Sequence, residues 1–123
     1  MQIKIHHKRI YEDPSQNDGL RILVDRLWPR GISKENAQID HWQKELAPSG
    51  ELRKWFNHEP EKWVSFKRKY IKELEQHKDL VDDFITLIKG EHEITLLYAA
   101  KDVKHNQAVV LHEFLQEVLN KKY

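Results

Sequence analysis

Cysteine is absent from the 123 residues, which excludes disulfides, thiolate zinc sites and a cysteine nucleophile together and suits a reducing compartment. An excess of one charge is also missing. Twenty-one basic side chains stand against twenty acidic ones, for a net charge of +1. A protein that held nucleic acid mainly by neutralising phosphates would show a basic excess or a long basic face, so a nucleic-acid partner is not indicated by charge. Long hydrophobic runs are lacking too: the longest, Ile94 to Ala100 with Thr95 inside it, is far too short to span a bilayer. The opening MQIKIHHKRIY has no continuous apolar stretch of the secretory kind. These absences predict a cytoplasmic protein without a membrane partner. No Gly-rich Walker loop and no G-x-G-x-x-G pattern occurs, which removes the commonest nucleotide signatures.

What is present reads as one domain, long enough to bury about two-thirds of its unfolded surface. Ile3 and Ile5 alternate with Lys4 and His6 as in a half-exposed strand. The turn-rich EDPSQNDG (12–19) precedes a second strand at about Leu20 to Asp25, and Glu93 to Ala99, apolar on both faces, reads as the most buried strand. Between them Ser33 is expected to cap a helix that carries Ile39, Trp42 and Leu46 and stops before Pro48. A short helical piece with Leu52, Trp55 and Phe56 follows, opened by Pro48-Ser49. Trp63, Phe66, Tyr70 and Leu74 then form the stripe of a longer helix, and Leu80, Val81, Phe84, Ile85 and Ile88 that of another, ending at Gly90. Asn106 is placed to cap a last amphipathic helix. The chain is expected to be α/β, with a small, mainly parallel sheet of three to four strands flanked by about five helices, all in residues 1–123 as a single domain.

The most informative stretch is Leu23 to Gly31, LVDRLWPRG, where an apolar strand ends in charges, a tryptophan and a turn. Ligands of α/β domains collect at that edge. If the strands before Asp25 and Ala100 are parallel neighbours, then Arg26, Arg30 and Lys101 converge beside the N-terminus of the last helix, where free amides favour an anion. Asp102 and Asn106 belong to the same loop. Trp28 adds a flat face for stacking, or else plugs the core against Trp42 or Trp55. An Asp25–arginine ion pair that fixes the turn is the structural alternative. For catalysis, Asp25 and His105 are the candidate general bases. A haloacid-dehalogenase-like pair of aspartates is disfavoured, because Leu27 stands two residues after Asp25, and Ser33 and Ser49 serve as helix caps rather than nucleophiles. Eight histidines show no ligand pair at helical spacing, and His6 and His7 point to opposite faces of a strand. No metal and no cofactor are expected.

Three blocks together, RILVDRLWPRGISKENAQIDHW, LAPSGELRKWFNHEPEKWVSF and TLLYAAKDVKHNQAVVLHEFL, resemble the domain of unknown function 488 family, in its YeaO-like branch. The likeness runs from about Arg21 to Leu115. It implies a small α/β fold and says little of activity. Its characteristic polar positions match Asp25, Arg26, Trp28, Pro29, Arg30 and Gly31 in the first block. They match Ala100, Lys101, Asp102, His105 and Asn106 in the third, so they fall in the two loops already singled out, while Pro48, Leu52, Arg53, Trp55, Phe56 and His58 match the family's middle block. Longer relatives often carry a cysteine at the end of the last strand and a Cys-His-Arg-like triplet opening the final helix. Here Tyr98-Ala99 and His105-Asn106 stand there, so thiol chemistry does not carry over. The expected function is binding of a small anionic, phosphate-bearing ligand at the carboxyl edge of the sheet. The rivals are a hydrolase or transferase that uses Asp25 or His105 in the same cleft, and a nucleic-acid or protein interaction module built on Trp55 to Lys69.

Overall fold

The strand apolar on both faces sits in the interior of the sheet. In the computed structural model, which describes residues 3–122, β1 (Lys4–Arg9), β2 (Leu20–Leu23), β3 (His41–Trp42) and β4 (Glu93–Tyr98) form one sheet of order β1-β4-β2-β3. Every pairing is parallel. β4 is flanked by strands on both sides, and Ile94 to Tyr98 are all buried. The protein is thus an α/β domain. β1 and β2, consecutive in sequence, are not neighbours, because β4 lies between them.

Alternation along the strands sorts the core into two unequal parts. Ile5, Ile22, Ile94 and Leu96 face the larger cluster, which the helices α2 (Gly50–Phe56), α3 (Trp63–Gln76), α4 (Lys78–Ile88) and α5 (Gln107–Lys122) complete with Phe66, Tyr70, Phe84, Ile88 and Leu111. Leu23 and Leu97 face the smaller cluster, closed by Ile10 and Ala37 and edged by Trp28, Ile39 and Trp42. On that second side Arg21, only 5% exposed, bonds Asp18 at 2.5 Å and the carbonyls of Ala37 and Gln38. Lys8 bonds the same carboxylate. The buried charges are therefore paired and hydrogen-bonded, the condition under which burial is tolerated.

One expected helix is not there. Ser33 does cap a helix, with the Asn36 amide on its Oγ at 3.1 Å, but α1 (Lys34–Ala37) ends at once because Gln38 takes a left-handed conformation. The chain then enters β3, so Trp42 is a strand residue paired beside Leu23. Other caps hold: Ser49 Oγ accepts from the Leu52 amide at 3.1 Å, and Asn106 Oδ1 accepts from the Val109 amide at 3.2 Å. The long helix starts at Trp63 after a 3-10 turn at Pro60–Lys62.

Candidate functional site

Because β2 and β4 are parallel neighbours, with Leu23 paired beside Leu97, the loops that leave them open on the same edge of the sheet. A cleft of about 560 Å³ lies there. Asp25 and Arg26 line it from the first loop, and Ala99 through Asp102 with His105, Asn106 and Gln107 from the second. Its far wall comes from Ala47 and Pro48 and from α2 and its C-terminal turn, through Arg53, Phe56 and His58. Phe66 of α3 stacks on Phe56, ring centres 4.3 Å apart, and makes that part of the wall apolar.

Asp25 is held on the cleft floor. One carboxylate oxygen accepts the Ala99 amide at 3.0 Å and the other accepts the side-chain amide of Gln107. That ties the end of β2 to the end of β4 and to the first turn of α5. Burial nevertheless dominates and pushes the Asp25 carboxyl up to about 6, against the two hydrogen bonds and the positive charge of Arg53, which hold it down. Arg26 makes no ion pair with it. Its guanidinium donates to the carbonyls of Pro48 and Ala47 at 3.0 and 3.1 Å, and so fastens the far wall to the first loop.

The second loop is closed on itself. Asp102 accepts the amides of Lys104 and His105 and, at 2.9 Å, Nδ1 of His105. The His105 contact chiefly holds its carboxyl below the ordinary range. This bond commits His105 Nδ1 to Asp102 and leaves Nε2 for any other partner. The His105 ring sits edge-on to Trp63 at 5.2 Å. Asn106, 2% exposed, spends its side chain on capping α5 and on the Asp102 carbonyl. Lys101 is exposed, and among the described residues neither it nor Arg53 takes part in an ion pair.

Of the residues singled out from sequence, Asp25, Arg26, Lys101, Asp102, His105 and Asn106 meet in the cleft, whereas Trp28 and Arg30 are not among its lining. The Trp28 indole donates to the Ile32 carbonyl at 2.8 Å and lies edge-on to Trp42, 5.4 Å away. Arg30 is exposed, and its carbonyl accepts from Tyr11. Gln107 was not anticipated as a site residue, and Arg53 and His58 were marked only as positions that match the family's middle block. Arg53 and His58 arrive because Ser49 anchors α2 to Glu73 of α3 through both its amide and its hydroxyl, a long-range contact without a local signature. Asn57 and His58 both have left-handed backbones, φ 48° and 56°. Trp55 lies outside the lining, partly exposed, with the ammonium groups of Lys62 and Lys69 about 5 Å from its ring. No group of three metal-ligating side chains occurs among the described residues.

A parallel α/β sheet with a cleft at its carboxyl edge, charged on its loops and at Arg53 and apolar at Phe56 and Phe66, defines the class. Residues 4–123 match the model described as "Inactive DUF488-N3 subclade", and the chain belongs to the DUF488 family, YeaO-like. It is 43% identical over 116 residues to the uncharacterized protein YeaO of Escherichia coli, covering 94% of this chain and all of that one. It is 36% identical over 114 residues to the uncharacterized proteins Mb3100c of Mycobacterium bovis and Rv3073c of Mycobacterium tuberculosis, covering 93% of this chain and 95% of each. No solved structure matches the chain.

Proposed function

We propose that the cleft binds a small anionic ligand, most simply a phosphate-bearing one, without transforming it. The observation that carries this reading is the composition of the lining. Cationic Arg53 and Lys101 stand unpaired among the described residues beside an apolar wall of Phe56 and Phe66, while the lining contains no serine, threonine, tyrosine or cysteine. Such a site offers attraction and shape but no hydroxyl or thiol nucleophile. The word "inactive" in the family description points the same way.

The test is a thermal-shift series with inorganic phosphate, sugar phosphates and nucleoside monophosphates, each beside its neutral counterpart. A ligand at a hundred times its Kd is expected to add about 2.7 kcal/mol of stability, and Arg53→Ala and Lys101→Ala are each expected to reduce the shift. No shift with any phosphate-bearing compound, or a shift that survives both substitutions, would sink the reading.

A second reading has one observation in its favour. Asp25, poised near pH 6, and His105, oriented by Asp102, share the cleft as an acid and base pair would. Turnover of a bound phosphate ester that disappears in Asp25→Asn while binding persists would establish it in place of the first.

A further inference from the structure

His7 and His112 lie 105 positions apart in sequence and meet at Nδ1···Nδ1 2.8 Å. His7 is on the face of β1 that carries Ile5, and His112 is in the second turn of α5, so their hydrogen bond spans the seam where the last helix packs on the edge strand. Both rings are half-buried, edge-on with centres 5.0 Å apart. We infer that this pair is a proton-operated latch, holding α5 against β1 while one ring can still accept a hydrogen bond and releasing that contact when both rings are protonated.

The chemistry follows from the two nitrogens in contact. In the neutral pair one Nδ1 donates and the other accepts. A first proton is accommodated at an Nε2, which has no protein partner among the described residues, and the hydrogen bond is kept. The second proton removes the only acceptor between the rings and sets two N–H groups and two positive charges against each other. Across the seam the charged and titratable groups are few. His6, next along β1, points to the other face and bonds Glu93. Tyr98 of β4 lies with its ring 6.4 Å from that of His7. Glu113 of α5 favours protonation, but it is engaged by Lys67 of α3 at 2.5 Å. Desolvation outweighs it, so both imidazoles are held below their ordinary 6.5. No third ligating side chain joins the pair among the described residues, which makes it a site for protons rather than for a metal ion.

The sign is fixed by those directions. A histidine whose folded pKa is depressed contributes stability that is complete above 6.5 and is lost as pH falls toward the folded midpoints. Asp25, which accepts from Gln107 in the first turn of the same helix, works in the opposite sense, so the readout has to be local. Amide hydrogen exchange along α5 at pH 7.5 and 5.0, corrected for intrinsic rates, supplies it, together with an NMR titration of the two imidazoles. Protection around His112 is therefore expected to be lower at pH 5.0 than at pH 7.5 in the wild type. It should change far less in His112→Gln or His7→Asn, whose amides hydrogen-bond but do not titrate. Unchanged wild-type protection, or an equal loss in both variants, overturns the latch. If the variants do not fold, the wild-type titration decides: midpoints below 6.5 for both rings support it, and midpoints at or above 6.5 overturn it.

Discussion

At the scale of single residues, Asp25 sets a measurable cost. Its folded pKa of about 6 lies above the ordinary 3.8, so its contribution to stability is full below about pH 4 and is lost as pH rises through 6. A shift of that size corresponds to about 3 kcal/mol at neutral pH. Asp25→Asn is expected to abolish this dependence and to raise the melting temperature at pH 8. The new amide oxygen keeps the Ala99 contact, and Gln107 can turn its own amide over to accept. Thermal melts of the two proteins at pH 4 and 8 make the comparison; a variant less stable at both values would show that the two hydrogen bonds outweigh burial. His58 is the complementary case, since a left-handed backbone costs a non-glycine residue about 1–2 kcal/mol. His58→Gly should leave stability unchanged or raise it by up to about 1 kcal/mol, whereas a clear loss would mean that the ring packs for the fold.

At the scale of elements, the connection into β2 turns on Gly19. Its φ is 64°, and a Cβ there would stand 2.1 Å from the backbone oxygen of Glu93, which neither strand can yield without breaking register. Gly19→Ala is expected to cost at least about 2 kcal/mol, read as a drop in the urea midpoint. The elements also show what the sequence could disclose. The starts of helices were legible because Ser33, Ser49 and Asn106 act on amides three residues away, and β4 because only an interior strand can be apolar on both faces. The helix drawn from Ser33 to Pro48 failed because Ile39, Trp42 and Leu46 share a spacing by coincidence. The first two edge the small cluster and Leu46 belongs to the large one, and left-handed Gln38 separates them from α1. The two loops of the site were legible as strand ends. Their division was not, since Trp28 turns away to Ile32 and Trp42, and the wall supplied by α2 depends on Ser49 finding Glu73.

At the scale of the whole molecule, the strand order binds the first and last thirds of the chain into one sheet. β4 pairs on both sides, with β1 and with β2, so neither end can leave without opening the center. Heat unfolding is therefore expected as a single transition with equal calorimetric and van't Hoff enthalpies, near ~85 kcal/mol at about 60 °C. Two resolved transitions would contradict it. The same order has a consequence for biosynthesis. Lys4 pairs beside Glu93, so while the chain is being made β1 leaves the ribosome long before its strand partner β4 exists, and β2 follows with its place beside β4 vacant. Everything up to the end of α4 is then a set of helices with β1 unpaired and β2 paired only to the two-residue β3, open to chaperones and proteases, and the sheet closes only when residues 93–98 arrive to join β1 and β2 at once.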